Sequence, residues 1–327
     1  MIFGRKRFYM LMVFLAAIVS SVFASSDALS PSEGDIAVDS NSAVDTHRWR
    51  HGSVDCTINS DPELEVYAHD ESTFILRQNK CQTFEAPFIY VLVGSDKVLV
   101  LDTGDIENPA GSTLFETVRS ALGKDVVASR EILVIHSHSH GDHYRGDAQF
   151  EGQANVNMVK PNAEAVRRFF GFKDWPEGQA TVELGGRSLI ILPTPGHQEE
   201  AITVYDPQTK WLLTGDTLYP GYVYVKNWEV YKSSIARLAH FSERHGVAAV
   251  MGAHIEMTSE PREYYPIGTT FQPEEAALYL APDTLRTLHE QLQKSKGKKE
   301  LVFDTFIIKK MSFIQRTVSN LARSIIQ

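Results

Sequence analysis

Between residues 138 and 143 the chain reads His138-Ser139-His140-Gly141-Asp142-His143, a concentration of metal-ligating side chains in six residues. His138 and His140 are two apart, so in extended backbone both imidazoles point the same way and can hold one ion. Asp142 and His143 follow where the glycine lets the chain turn, presenting a carboxylate and a third imidazole toward a neighbouring point. That arrangement suits two metal ions better than one. Imidazole and carboxylate together favour zinc, and iron or manganese accept the same donors.

The elements around this run must bring it further partners. Glu131 to Ile135 is a short apolar run that reads as a buried strand and delivers the chain directly into the His-rich loop. Phe88 to Val93 and Lys97 to Leu101 are β-branched apolar runs separated by Gly94-Ser95-Asp96, which reads as a hairpin ending at Asp102-Thr103-Gly104. Ser112 to Leu122 has helical spacing, Asn155 to Val159 reads as a strand, and a helix is expected to start near Pro161. Arg187 to Leu192 is a strand running into Pro193-Thr194-Pro195-Gly196-His197. Strands over Ala201 to Tyr205 and Lys210 to Leu213 bracket Asp206-Pro207, and the second ends at Gly215-Asp216. Asn227 caps a helix whose apolar stripe is Trp228, Tyr231, Ile235, Leu238 and Phe241. Val247 to Met251 is a strand that ends at Gly252-Ala253-His254. Four separate strand ends therefore each deliver a His or Asp into a loop. Strands and helices in this order give a layered α/β or α+β architecture, and periodicity by itself does not choose between them.

His-x-His-x-Asp-His after a buried strand resembles the signature of the metallo-β-lactamase superfamily. The Gly196-His197 loop, the Thr214-Gly215-Asp216-Thr217 turn and the strand-end His254 match its later elements in order. A rival register beginning at His136 would put Gly141 where a histidine is required, so His136 is read as a strand-end residue or a neighbour of the site. The resemblance spans about Glu63 to Thr270. It implies an α+β fold, the four-layer αββα sandwich, here followed by a C-terminal helical extension. It implies that His138, His140 and His197 bind a first metal, that Asp142, His143 and His254 bind a second, and that Asp216 bridges both. Two zinc ions are expected, with iron or manganese as alternatives. Asp102 matches a family position near the site, where it would fix a turn or orient a ligand.

Two such ions imply hydrolysis. Coordination lowers the pKa of water from 15.7 to about 7, so that a metal-bound hydroxide can attack a carbonyl while the other ion polarises its oxygen. Asp142 would also take or pass a proton. β-Lactam-cleaving branches generally carry Cys or Ser where Asp216 stands. The chain is thus closer to the glyoxalase II and lactonase-like branch, and a small neutral or weakly charged ester, thioester or lactone is the expected substrate. β-Lactam hydrolysis, and an iron-dependent sulfur dioxygenase or other redox reaction, are the alternatives. Tyr219, Tyr222 and Tyr224, just after Asp216, are the best candidates to line a substrate pocket; Tyr264, Tyr265 and Phe271 are read as packing for the tail.

The chain has 327 residues, 43% of them hydrophobic, enough for a full core, and its formal charge of -9 argues against a nucleic-acid partner. Arg5, Lys6 and Arg7 precede an apolar run from Phe8 to Val19, with small residues around Ala24, so residues 1–24 read as a signal peptide and export to a periplasm or the cell exterior is expected. No membrane span is expected after its cleavage. Residues 25–62, rich in Ser, Asp, Ala and Gly, read as a flexible leader to a domain over 63–270. The two cysteines, Cys56 and Cys81, form either one disulfide or two thiols. Residues 271–327 read as helices packed on the domain, with a basic amphipathic stretch from Thr305 to Gln327.

Overall fold

The computed structural model describes residues 46–107, 114–317 and 319. The expected signal peptide and the first part of the expected leader lie outside them, as does the predicted helix start at Ser112.

Two six-stranded sheets form the centre. The first has the order β1 (Leu64–Asp70), β2 (Thr73–Gln78), β3 (Phe88–Val93), β4 (Lys97–Leu101), β5 (Glu131–Ile135) and β6 (Val156–Met158). Its pairing is antiparallel through β4, then parallel from β4 to β5 and from β5 to β6. The strands of the second are β7 (Ala180–Glu183), β8 (Ser188–Pro193), β9 (Ile202–Asp206), β10 (Trp211–Gly215), β12 (Ala249–Gly252) and β13 (Tyr279–Leu280). They lie in the order β13-β12-β10-β9-β8-β7, and β10 and β12 run parallel.

The two-residue period of the strands sorts the core into layers. In β4 and β5, Leu99, Leu101, Leu133 and Ile135 face the second sheet, packing in one cluster with Leu189, Val204, Trp211 and Met251. The alternate residues Val98, Val100, Ile132 and Val134 face outward onto Leu114, Phe115 and Val118 of helix α1 (Leu114–Leu122). Across the molecule, the outer face of the second sheet is covered by Tyr231, Ile235 and Leu238 of α5 (Trp228–His245) and by Leu285, Leu288 and Leu292 of α6 (Asp283–Lys294). Between these in chain order lie α2 (Lys124–Ser129), α3 (Gly141–Tyr144) and α4 (Ala163–Phe170). The outcome is the αββα sandwich. α5 begins as expected at Asn227, whose side-chain oxygen accepts from the Val230 amide, and stops at Gly246 in the left-handed region. Truncating one of its fully buried apolar side chains to Ala costs about 2–5 kcal/mol.

Two expectations need correction. Within the expected flexible leader, residues 46–62 are tied down: Trp49 is buried, the Ser53 amide donates to the Thr270 carbonyl, and Cys56 is disulfide-bonded to Cys81. The tail is not simply helical. α6 is followed by β14 (Glu300–Val302) and β15 (Ile307–Lys310), which form a small sheet with β11 (Tyr222–Val225), β15 lying in the middle. Phe306 and Ile308 are buried there, so the first apolar residues after Thr305 serve a strand, and a helix follows over 313–317.

Candidate metal centre

The carboxyl ends of β4, β5, β8, β10 and β12 each deliver part of one cluster. β5 runs into His136-Ser137-His138, and α3 turns immediately after His140, placing Asp142 and His143 opposite the first two imidazoles. His197 follows β8. At Gly196 (φ 141°) an added Cβ would lie 2.5 Å from the Tyr231 backbone, so only glycine lets this loop pass under α5. Asp216 follows β10 after Gly215 (φ 51°), where a Cβ would lie 2.4 Å from that of Ser137. That close approach holds the Asp216 turn against the loop of the other sheet. His254 follows β12.

These seven side chains gather into two overlapping groups: His138, His140, His197 and Asp216, and Asp142, His143, His254 and Asp216, with the donor atoms of each group within 4.8 Å of one another. In the first, His140 Nδ1 lies 2.9 Å from His138 Nε2 and 3.0 Å from His197 Nε2. Asp216 Oδ2 is 3.6 Å from His138 Nε2 and 3.5 Å from His197 Nε2. In the second, His143 Nε2 and His254 Nε2 are 3.4 Å apart and each is 3.2 Å from Asp142 Oδ2. Asp216 Oδ1 is 3.5 Å from the former and 3.3 Å from the latter. Metal–nitrogen bonds of about 2.0–2.1 Å in tetrahedral geometry would separate the donors by about 3.3–3.4 Å; the second group lies close to this, at 3.2–3.5 Å, and the contacts of the first bracket it, at 2.9–3.6 Å. Asp216 Oδ1 is buried and has no hydrogen-bond partner, which leaves an acceptor aimed into the second group. The donor set therefore fits two cations that share Asp216.

The outer nitrogen of each of three imidazoles is fixed by an acceptor. His197 Nδ1–H donates to the Tyr224 carbonyl at 2.7 Å, His254 Nδ1–H to the Glu85 carbonyl at 3.1 Å, and His143 Nδ1–H to Asp102 Oδ2 at 2.9 Å. Each bond leaves Nε2 facing the cluster. Asp102, buried with φ 70°, also accepts from the Ser137 amide at 2.6 Å and from its hydroxyl at 2.9 Å. It thus both fixes the turn and orients an imidazole, joining the two roles the sequence left open. His136 lies outside the cluster: its ring nitrogens face the Val159 carbonyl and Asp147.

Electrostatics divide the two groups. Burial lowers the pKa of His138 well below the ordinary value, lowers His197, and takes His140 to about 3, with neighbouring imidazoles adding to the effect at His138 and His140. At His143 burial also opposes the charged form, but Asp142, Asp216 and Asp102 outweigh it and raise the pKa well above the ordinary value. At His254, Asp216 and Asp142 do the same. Asp142 and Asp216 are in turn held well below the carboxylate range: burial opposes this, and His143 and His254 prevail.

Several neighbours carry no sequence signal. Gln198 reaches His140 Nε2 with its amide and accepts from Lys226 Nζ at 3.2 Å, and Glu200 accepts from the Ser139 amide at 3.0 Å. Burial pushes the Glu85 carboxyl up to about 7. Of the three tyrosines, Tyr219 packs its ring 5.4 Å from that of His254, Tyr224 serves through its carbonyl, and Tyr222 hydrogen-bonds Glu300. Tyr264, an exposed side chain, lies tilted against Tyr222, and Phe271 packs edge-on against His51, partners outside the C-terminal helices that these residues were expected to pack.

Residues 83–245 match the sequence profile of the metallo-beta-lactamase superfamily. The chain carries a metallo-beta-lactamase superfamily domain. It is 26% identical over 194 residues to acyl-coenzyme A thioesterase MBLAC2 of Bos taurus, covering 48% of this chain and 68% of that protein. Against hydroxyacylglutathione hydrolase of Idiomarina loihiensis it is 26% identical over 227 residues, 67% of this chain and 79% of the relative. A solved metallo-beta-lactamase from Pontibacter korlensis covers 70% of this chain and 99% of its own at 18% identity, with a TM-score of 0.45. The metallo-beta-lactamase domain places this protein among metal-dependent hydrolases of small molecules.

Proposed function

We propose that this hydrolase is binuclear and cleaves the carbonyl–sulfur or carbonyl–oxygen bond of a thioester, ester or lactone. His138, His140 and His197 would hold one ion, Asp142, His143 and His254 the other, and Asp216 one of each through its two oxygens. The observation that carries this reading is Asp216, whose Oδ2 faces two imidazoles of the first group while its partnerless Oδ1 faces two of the second. Zinc fits the imidazole-rich donors and the donor spacing.

When bound, such ions acidify water and polarise the substrate oxygen, lowering the barrier to attack on a carbonyl. Asp142, kept ionised by His143 and His254, would be a hydrogen-bond acceptor at the same point; because those neighbours make it a weak base, it would orient a proton and pass it on rather than keep it. Asp102 and the Glu85 and Tyr224 carbonyls keep the imidazoles oriented, so no reorganisation is needed during turnover. Thioesters stand first because the two relatives above are named as an acyl-coenzyme A thioesterase and a hydroxyacylglutathione hydrolase. Export is supported by the basic and apolar start of the chain and by the Cys56–Cys81 disulfide, which suits an oxidising compartment.

The test is metal content and turnover on one sample. Protein purified without added metal is expected to hold about two zinc ions per chain and to hydrolyse thioesters faster than β-lactams. Asp216→Ala should lose metal from both groups. Iron as the dominant metal, or activity undiminished in Asp216→Ala, would overturn the assignment.

A further inference from the structure

We propose that the leaving group of the substrate carries several phosphates, which lie along a cationic groove leading away from the metal centre. This inference rests on the hydrolase reading above and replaces the neutral substrate expected from the sequence.

A cavity of about 610 Å³ opens beside the loop that carries His197, with Gly196, Gln198 and Lys226 in its wall. Gln198 links it to the centre, since its amide meets His140 while its carbonyl accepts from the buried Lys226. β15 and the helical residues 313–317 after it add Lys310, Phe313 and Arg316. A second cavity of about 310 Å³ adjoins the first, sharing Trp228, Glu229 and Lys310, and is lined by Lys232, Lys296, Lys298 and Lys299. The hydrogen bond from the Lys310 amide to the Lys299 carbonyl, at 2.8 Å, joins this lysine loop to β15.

Charge makes the groove specific. The chain as a whole is acidic, at -9, yet Lys and Arg outnumber the two carboxylates, Glu199 and Glu229, that line these cavities. Glu229 pairs with Lys232. Lysines on an ordinary acidic surface pair with carboxylates, as Lys309 does with Glu300 and Lys97 with Glu131. Among the described residues, Lys296, Lys298, Lys299, Lys310 and Arg316 have no carboxylate within ion-pair distance, and the Arg316 Nε is buried with no hydrogen-bond partner. Concentrating unneutralised cations along one path repels them from each other and is compensated when a polyanion occupies it. A single carboxylate would engage one end; phosphates spaced along a flexible carrier engage both cavities.

The experiment uses the full, metal-loaded chain and three thioesters with the same butyryl group: on coenzyme A, on glutathione, and on uncharged N-acetylcysteamine. Desulfo-coenzyme A binding is measured in parallel by calorimetry, which reads the groove without turnover. The coenzyme A thioester is expected to show the highest kcat/KM. Neutralising two cations in Lys298→Gln/Lys299→Gln should lower its advantage over the N-acetylcysteamine thioester about tenfold, and added salt should weaken desulfo-coenzyme A binding. Equal use of all three thioesters, or binding indifferent to salt and to the double variant, overturns the groove while leaving the hydrolase reading standing. Lysine-dependent binding without hydrolysis of any thioester supports the groove and overturns the thioester reading.

Discussion

The two halves of the proposed metal centre use the same residue types and arrive at opposite proton states. In the His138, His140 and His197 half, burial and mutual repulsion keep the imidazoles neutral, so an entering cation meets free lone pairs. In the Asp142, His143 and His254 half, carboxylates outweigh burial and hold protons on both imidazoles, so a cation must displace them. What separates the halves is where the carboxylates fall: Asp142 and Asp102 contact imidazoles of the second half directly, whereas Asp102 reaches His138 only through the Ser137 hydroxyl, and Asp216 is shared. Metal loading in the two halves should therefore respond differently to the same perturbation.

The largest effect should come from removing a ligand. His138→Ala and His254→Ala are each expected to lower hydrolysis by on the order of 10³-fold, because several kcal/mol of charge stabilisation depends on each ion. Elemental analysis should show one ion lost from each variant. If either retains two ions at wild-type activity, the division into halves is wrong.

Acidity should sharpen the contrast. The folded pKa values of His143 and His254 are raised, so protons occupy these rings below those values and compete with metal. Affinity of the second half should fall as pH falls, by about tenfold per pH unit for each imidazole proton displaced. The first half, with His140 at about 3, should stay flat across neutral pH. Calorimetric zinc titrations in buffers of different ionisation enthalpy would count the released protons; equal slopes for both ions would contradict the assignment.

Asp102→Asn removes the carboxylate that orients His143 and helps to raise its pKa. The second ion should bind about 10–100-fold more weakly, with the first unchanged. Loss of both ions together would mean that Asp102 serves the whole turn rather than one imidazole. The smallest effect is expected for Gln198→Ala, which removes one hydrogen bond to His140, a change of about two- to tenfold in kcat/KM. Unaltered kinetics would detach Gln198 from the first half.

Much of this centre was legible as sequence because strands fix side-chain direction by a two-residue period and end at turns. The run from His138 to His143, and the glycines before His197 and Asp216, mark positions where a short strand hands a ligand to a loop. The hairpin at Gly94, the Asn227 cap and the α5 stripe were legible for the same local reason. The strand at Ile307–Lys310 was not, since a short apolar run with flanking lysines becomes a strand only when β11 lies beside it. Residues 46–62 looked unstructured because their order comes from partners far along the chain, Cys81 and Thr270.

The sequence by itself determined the kinds of donor and the strand ends that carry them. Only the tertiary structure decided which oxygen of Asp216 faces which half, that Asp102 supports His143, and that lysines from β15 and from the loop before β14 line adjoining cavities, the first of which reaches Gln198 beside His197. The reason is physical: ligand identity is a property of single residues, whereas proton state and charge complementarity depend on distances between residues that are remote in sequence.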